Sequence, residues 1–187
     1  NNALCAHDDP IVKPSDAGEM FQYEGELVAV IGKLARNVAA DKALDYVFGY
    51  MMCWDISQRD PWGKGMHNTR NIRKGFDTFS ALGPWIVTRD EIDEPQNLAI
   101  KVLQNGKEAM TAHTSDMICG LREHIRFLTS CLTLRPGDLI TTGTPAGVGF
   151  SRKPPIFMKA GDVCELTIEK IGTLRNKVSA EPRRQHW

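Results

Sequence analysis

Two glutamates separated by a single glycine, Glu24 and Glu26, have a spacing that suggests chemistry. In an extended strand, residues two apart share a face and lie roughly 7 Å apart, so both carboxylates can reach one ion. Burying two like charges together is costly unless a cation neutralises them, and hard carboxylate oxygens favour Mg²⁺, Mn²⁺ or Ca²⁺ over zinc. The pair therefore indicates a metal site, although two exposed acids at a strand end have the same spacing.

A third acid, Asp55, lies in an otherwise apolar segment, Cys-Trp-Asp-Ile at residues 53–56. A carboxylate in such a segment needs a partner, because burying an unpaired charge is expensive. The partner is either the same cation or, in the simpler alternative, the nearby Arg59.

Residues 139–149 read Leu-Ile-Thr-Thr-Gly-Thr-Pro-Ala-Gly-Val-Gly. This pattern predicts a strand that enters a glycine-rich loop, where backbone N–H groups and threonine hydroxyls can approach an anion closely. The Gly-Lys-Ser/Thr ending of a phosphate-binding P-loop is absent, so a nucleotide site is not indicated. An ordinary structural turn has the same composition and is the alternative.

Strands must position these residues. Residues 23–32 place Glu24, Glu26 and two valines on one face and apolar side chains on the other, which predicts a strand with two buried faces. A second strand at 50–56 carries Asp55, and a short helix capped by Asp41 is expected to run through Phe48 before it. The segment up to residue 22 is expected to contain loops or short edge pieces, and residues 61–73 a surface loop that could cover a cleft.

The remaining pattern is also mainly extended. Strands are predicted at residues 85–88, 98–103, 108–111, 138–142, 162–169 and 173–178. Asn105-Gly106 is a type I′ turn signal between two of them. Ser115 is expected to cap the clearest helix, in which Ile118, Leu121 and Ile125 recur at helical spacing. The sequence therefore predicts one α+β domain, residues 1–187, with β structure dominant.

Composition excludes several classes. The 187 residues contain 23 basic and 23 acidic side chains without a basic stripe, so no nucleic-acid partner is expected. The apolar runs fall short of the roughly 20 residues that a membrane helix needs. Five cysteines without a C-x-x-C pair indicate reduced thiols in a cytoplasmic protein. The first residues lack an initiator methionine, which favours a piece of a longer chain.

Five ordered motifs together resemble the fumarylacetoacetate hydrolase family. They are Tyr-Glu-Gly-Glu-Leu-Val-Ala-Val-Ile-Gly-Lys (23–33), Cys-Trp-Asp-Ile-Ser-Gln-Arg-Asp (53–60), Lys-Gly-Phe-Asp-Thr-Phe (74–79), Thr-Gly-Thr-Pro-Ala-Gly-Val-Gly (142–149) and Gly-Thr-Leu-Arg-Asn (172–176). The resemblance runs from about residue 9 to residue 180, which is nearly the whole chain.

The resemblance implies a mixed β-sandwich roll and a homodimer, with Mg²⁺, Mn²⁺ or Ca²⁺ held by the acids at the matching positions, Glu24, Glu26 and Asp55. Three further residues match family positions, and each has a simpler alternative. Lys74 would stabilise an enolate or orient water, or is a surface lysine. Thr144 would meet the substrate carboxylate, or forms a turn. Arg59 would lie near the site, or makes a plain salt bridge.

The implied activity is on a small 2-oxo acid. A metal chelated by its carboxylate and 2-oxo oxygens would stabilise the enolate that C–C hydrolysis, decarboxylation and tautomerisation share. Trp62 and His67 are candidates for a lid. The family's N-terminal His and Glu base has no match, since His7 lies in another context, and Pro61-Trp62 replaces a glutamine of some hydrolases. A non-catalytic metal-binding scaffold that keeps the fold is therefore the alternative function, and an upstream His and Glu would distinguish the two.

Overall fold

Extended segments dominate the protein, as the period-two hydrophobic pattern predicts. The computed structural model describes residues 2–15, 18–60 and 70–181. The strands are β1 Leu4–Ala6, β2 Ile11–Lys13, β3 Phe21–Gln22, β4 Gly25–Ile31, β5 Val47–Asp55, β6 Ser57–Gln58, β7 Ser80–Thr88, β8 Ala99–Gln104, β9 Lys107–His113, β10 Leu139–Thr141, β11 Val163–Ile168 and β12 Gly172–Ala180. The α-helices are α1 Arg70–Lys74 and α2 Leu121–Cys131, and 3₁₀ turns lie at Ala40–Tyr46, Arg89–Glu91, Thr114–Asp116 and Gly149–Ser151.

The strands form two five-stranded sheets and one two-stranded ribbon. The first sheet has the order β1-β7-β5-β4-β10, the second β2-β12-β11-β8-β9, and the ribbon pairs β3 with β6. Each large sheet combines antiparallel pairs with one parallel edge strand, β1 in the first sheet and β2 in the second. The predicted class, a mainly-β α+β fold of the mixed β-sandwich roll type, is confirmed.

The core lies between the two large sheets. Its buried side chains come from both, for example Leu27 and Trp54 from the first sheet and Leu166 and Leu174 from the second. Strand β4 is buried along its whole length, as its pattern predicts. Its other face carries a small second cluster with β5, made of Val28, Val30, Met51 and Cys53. Strand β4, which begins directly after Glu24 and contains Glu26, is thus fixed by apolar contacts on both sides.

Two predicted helix boundaries are wrong. The residues after Asp41 form a 3₁₀ turn that ends at Tyr46, and Val47 and Phe48 begin β5, because Val47 pairs with Ile31 of β4. Asp41 therefore does not cap a helix through Phe48, and sheet pairing overrides the local helical spacing.

The second correction concerns Ser115. This residue lies in a 3₁₀ turn that His113 caps, and α2 begins only at Leu121 with Gly120 at its N-cap. The side chain of Gln96 accepts a hydrogen bond from the Leu121 N–H at 2.7 Å, so a residue from outside the helix satisfies its first turn. Ile118, which was predicted on the apolar helix face, is fully exposed.

The predicted hairpin and its turn are confirmed. Asn105 and Gly106 have φ values of 54° and 73° between β8 and β9, as a type I′ turn requires. The loop predicted at residues 61–73 is wrong at its end, where residues 70–74 form α1. Pro61, Trp62 and His67 lie outside the described residues.

Two global features complete the fold. All five cysteines are free thiols. In the described ranges, no helix has the length and apolar character needed to cross a membrane.

Candidate active site

The acidic residues come together where β4 and β5 pair. Gly25 pairs with Trp54 in an antiparallel register, and the Asp55 N–H donates to the Glu24 carbonyl at 2.8 Å, so Asp55 lies across from Glu24. Gly25 itself faces the core, where an added Cβ would lie 3.0 Å from Leu166 and 3.2 Å from Trp54. A glycine between the two glutamates therefore lets the sheets approach closely while both carboxylates point away from the core.

One oxygen from each of Glu24, Glu26 and Asp55 lies within 4.8 Å of the others. The residues Glu24 and Glu26 are only 6% and 3% exposed, whereas Asp55 is half-buried. This donor set consists entirely of carboxylate oxygens, which is the chemistry that Mg²⁺, Mn²⁺ and Ca²⁺ prefer. The structure thus brings the three predicted ligands to one point.

Glu24 is surrounded by hydrogen-bond donors. Its carboxylate accepts from Gln22 Nε2 and Ser57 Oγ at 2.9 Å each, from Arg59 Nη2 at 2.7 Å and from Lys74 Nζ at 2.8 Å. Burial pushes the pKa of Glu24 up, but the hydrogen bonds and the Lys74 charge outweigh it, so the pKa is lowered. The Glu24 carboxylate is ionised at neutral pH.

Glu26 has a contrasting environment. Within the described residues, its only hydrogen-bond donor is the Gly143 backbone N–H, at 2.8 Å. Burial, followed by the nearby charge of Asp55, raises the pKa of Glu26 from 4.5 to about 7. The pKa of Asp55 is also raised, because its burial outweighs the hydrogen bond that Lys74 donates. Among the described residues, no cationic side chain donates a hydrogen bond to Glu26, and the Lys74 charge lowers its pKa by less than burial and Asp55 raise it.

Lys74 enters the site from the last residue of α1. Its ammonium donates to both Glu24 and Asp55. Burial lowers the pKa of Lys74, but the two acidic partners raise it by a larger amount. The pKa is therefore above its ordinary value, and Lys74 is cationic at neutral pH. The alternative of a surface lysine without contacts to the acids does not describe this position.

Arg59 and Thr144 take different places. Arg59 pairs with Glu24, and its guanidinium lies 5.9 Å from the centre of the ring of Phe150, the residue that follows the glycine-rich loop. Arg59 therefore forms its ion pair with Glu24 instead of Asp55, the partner that the sequence suggested.

Thr144 follows Gly143, whose positive φ of 87° turns the loop so that the Gly143 N–H reaches Glu26.

Beside this loop lies a cavity of about 650 Å³, which Gly143 and Thr144 line. The Thr144 hydroxyl is buried without a hydrogen-bond partner among the residues described. Burial of this hydroxyl without a partner costs free energy.

Sequence reasoning did not identify Gln22 and Ser57, which bind Glu24, or the Gly143 N–H, which binds Glu26. Gln22 shares the Glu24 face of its extended segment, and Ser57 lies two residues after Asp55, so the period-two alternation is the signal that could have found both. The lid candidates Trp62 and His67 lie outside the described residues.

The family profile described as fumarylacetoacetate (FAA) hydrolase C-terminal matches residues 1–179. The chain belongs to the fumarylacetoacetate hydrolase family. It is 44% identical over 188 residues to the fumarylacetoacetate hydrolase domain-containing protein 2 homolog of Dictyostelium discoideum, covering 95% of this chain and 61% of the relative. It is 40% identical over 177 residues to the mitochondrial oxaloacetate tautomerase of Xenopus laevis, covering 95% and 55%.

Solved structures agree with this assignment. Maleylpyruvate hydrolase from Sphingobium sp. SYK-6, in complex with manganese (II) ion and pyruvate, superposes with a TM-score of 0.85 at 34% identity and covers 97% of this chain and 62% of that one. The present chain thus spans less than two thirds of the length of these family members.

Proposed function

We propose that this protein is a divalent-metal-dependent enzyme that acts on a small 2-oxo acid through an enolate. The observation that carries the proposal is the cluster of Glu24, Glu26 and Asp55, whose oxygens lie within 4.8 Å of one another. Three carboxylates at this distance repel one another, and the two cations in contact with them, Lys74 and Arg59, compensate only part of their charge.

The residues present fit a hard divalent cation. The raised pKa of Glu26, about 7, reflects burial beside Asp55 with a single backbone donor, and a cation at this point would remove that penalty. The family member from Sphingobium holds manganese together with pyruvate, which supports Mn²⁺ or Mg²⁺ here. When bound, such an ion supplies Lewis acidity to the 2-oxo acid.

The chain's own residues would complete the chemistry. The Lys74 ammonium, placed beside Glu24 and Asp55, is in position to stabilise negative charge that develops on a substrate oxygen or to orient a water molecule. The unpartnered Thr144 hydroxyl would bind the substrate carboxylate. Arg59 would act through Glu24, holding that carboxylate in place.

Hydrolysis of a C–C bond, decarboxylation and tautomerisation all pass through an enolate, and named family members include a hydrolase and a tautomerase. We therefore propose a hydrolase of C–C bonds in 2-oxo or 1,3-diketo acids, or a related decarboxylase or isomerase.

A turnover assay tests the proposal. The purified chain is incubated with oxaloacetate, acetylpyruvate and maleylpyruvate, with Mg²⁺, with Mn²⁺ and with a chelator. Metal-dependent turnover of at least one substrate, abolished by the chelator, is expected. Mn²⁺ binding without any turnover would favour the non-catalytic scaffold, and turnover that persists with the chelator would contradict the metal dependence.

We also propose a homodimer, on the basis of family resemblance. Light scattering at micromolar concentration should give a mass near twice the 20.8 kDa of the chain. A mass of one chain would contradict this proposal and leave the proposed reaction untouched.

A further inference from the structure

The glycine-rich loop is held at both of its ends by the two glutamates of the site. At its start, the Gly143 N–H donates to Glu26 Oε2 at 2.8 Å. Directly after its end, the Phe150 N–H donates to Gln22 Oε1 at 2.9 Å, and Gln22 Nε2 donates to Glu24 Oε1 at 2.9 Å. Each end of the loop is therefore connected to a different acid of the triad, directly at Glu26 and through one side chain at Glu24.

The side chain that makes this second connection, Gln22, is fully buried. A buried amide costs free energy unless its two ends are paired, and here both are. The nitrogen of an amide can only donate and its oxygen can only accept. If the amide were turned over, its oxygen would face the ionised Glu24 carboxylate and its nitrogen would face the Phe150 N–H. The negative charge of Glu24 therefore selects the orientation in which Gln22 accepts from Phe150.

Ser57 offers a comparison within the same site. Its hydroxyl donates at 2.9 Å to the same oxygen, Glu24 Oε1, as Gln22 does. Within the described residues, Ser57 makes no side-chain hydrogen bond to the loop. Both side chains thus support one carboxylate, and only Gln22 continues from it to the loop.

The loop also has an anchor that involves no acid. The Ile156 N–H donates to the Gly149 carbonyl at 3.1 Å. The two backbones pack closely here, since a Cβ added at Gly149 would lie 2.0 Å from the Ile156 carbonyl oxygen. Loss of the Gln22 contact should therefore loosen the Phe150 end of the loop without unfolding it.

We propose that Gln22 is a positioning residue that couples cation binding at Glu24 to the order of the loop. The inference rests on the metal site of the proposed function. Without a cation the three carboxylates repel one another, whereas a cation would fix the position of Glu24. The hydrogen bonds from Glu24 through Gln22 to Phe150 would then open less often. The loop, which carries Thr144, is more ordered when the triad is loaded.

Amide hydrogen exchange tests this coupling without relying on turnover. Exchange of the Gly143 and Phe150 amides is followed by NMR with Mg²⁺ and with a chelator. In the parent protein, Mg²⁺ should slow exchange of the Phe150 amide on the order of tenfold, because exchange requires its hydrogen bond to Gln22 to open. An unchanged Phe150 rate would overturn the proposal, and this measurement needs no substitution.

Two variants remove donors to the same oxygen of Glu24. Gln22→Met nearly keeps the volume of the side chain, and it should lose the Mg²⁺ effect at Phe150 while keeping the effect at Gly143. Ser57→Ala should keep both effects. A Mg²⁺ effect at Phe150 that survives in Gln22→Met, or that is lost equally in Ser57→Ala, would overturn the coupling role of Gln22.

The matched control is Gln96→Met. Gln96 has the same chemistry outside the site, since its Nε2 donates to the Thr114 carbonyl at 2.8 Å and its Oε1 accepts from the Leu121 N–H at 2.7 Å. Its loss should leave the Mg²⁺ effects at Gly143 and Phe150 unchanged. A loss of the Phe150 effect in this variant would mean that any removed buried amide disturbs the loop, which would also overturn the proposal.

Pyruvate binding at saturating Mn²⁺ gives a second readout, measured by calorimetry. Gln22→Met should bind pyruvate severalfold more weakly than the parent protein, because the loop with Thr144 is looser. Ser57→Ala should bind pyruvate as the parent protein does. Equal pyruvate affinities of the two variants would reduce Gln22 to a support of Glu24 and overturn its positioning role.

Failure of this inference and failure of the proposed function are distinguishable. If the parent protein shows the expected exchange pattern with Mg²⁺ but neither binds nor turns over a 2-oxo acid, the proposed function fails and the coupling through Gln22 stands. If Mn²⁺ and pyruvate bind but the exchange pattern is absent, the coupling fails and the proposed function stands. A parent protein that binds neither Mg²⁺ nor Mn²⁺ would refute both.

Discussion

Glu24 and Glu26 share one strand face, yet their surroundings are opposite. Four side chains donate hydrogen bonds to Glu24, and two of them, Arg59 and Lys74, carry a positive charge. Glu26 accepts a single hydrogen bond, from the Gly143 N–H of the loop, among all residues described. Hence the pKa of Glu24 is lowered, whereas that of Glu26 is raised to about 7.

The two glutamates differ in how their negative charge is compensated. The Glu24 side is neutralised by the protein itself, and its network fixes the position of the carboxylate. The Glu26 side is buried next to Asp55, and within the described ranges no cationic side chain hydrogen-bonds to it; the loop that binds Glu26 also lines the cavity. Positive charge from a ligand would therefore have its largest effect on the Glu26 side.

The largest effect is expected for Glu26→Gln. This change keeps the shape of the side chain and the hydrogen bond from Gly143 but removes one negative charge from the triad. Removing groups that only support a metal ligand costs roughly 10–100-fold in affinity. Mn²⁺ affinity should therefore fall by more than about a hundredfold in calorimetry, together with turnover.

The matched control is Glu123→Gln, which alters an exposed acid paired with Arg126 on α2. It should leave both quantities unchanged. Equal Mn²⁺ affinity of Glu26→Gln and the parent protein would exclude Glu26 as a ligand.

Lys74→Met should lower turnover on the order of a hundredfold while Mn²⁺ still binds. The loss corresponds to removing one electrostatic stabiliser of a developing oxyanion, worth about 3 kcal/mol. Since Lys74 contacts Glu24 and Asp55, its removal also leaves those acids free for the cation. Steady-state kinetics and calorimetry on the same sample separate the two effects, and unchanged kinetics would make Lys74 a purely structural partner of the acids.

A smaller effect is expected on the stability of the metal-free protein. Because the folded pKa of Glu26, about 7, lies above its ordinary value of 4.5, folding favours the protonated form. The contribution of Glu26 to the stability of the folded protein is therefore fully present below pH 4.5 and is lost as the pH rises through 7. Glu26→Gln should be more stable than the parent protein at pH 8, by about 1–3 kcal/mol.

Urea unfolding in the presence of a chelator at pH 5 and at pH 8 measures this difference. The advantage of the variant should shrink at pH 5. An advantage of equal size at both pH values would contradict the raised pKa.

Much of this fold follows from local pattern. The alternation in β4 and the Asn105-Gly106 turn were predictable because each depends on residues adjacent in sequence. The helix expected through Phe48 was not found because Val47 pairs with Ile31, a contact between distant residues. The start of α2 depends in the same way on Gln96, which binds the Leu121 N–H from 25 positions away.

The same distinction between local pattern and long-range contacts applies to the site. The spacing of Glu24 and Glu26 and the family motifs predicted the acids, Lys74, Arg59 and Thr144 as site residues, and the structure brings the acids, Lys74 and Arg59 together. The asymmetry between the two glutamates was not predictable, because it depends on which donors the fold brings to each carboxylate. Ser57 is one such donor: its alternation with Asp55 places it on the same face, but the contact with Glu24 joins residues 33 positions apart.

Ser57→Ala should therefore have the smallest effect of the three substitutions in the site, after Glu26→Gln and Lys74→Met. Oε1 of Glu24 keeps its hydrogen bonds from Gln22 and Arg59 when the Ser57 hydroxyl is lost, so the carboxylate stays ionised and in place. We expect Mn²⁺ affinity to fall by about tenfold or less and the free energy of unfolding by about 1 kcal/mol. Ser130→Ala, which removes an exposed hydroxyl on α2, is the matched control. A loss of Mn²⁺ affinity as large as that of Glu26→Gln would mean that the donors around Glu24 are not redundant. The contrast between the two glutamates would then lie in their geometry and not in the number of their hydrogen-bond partners.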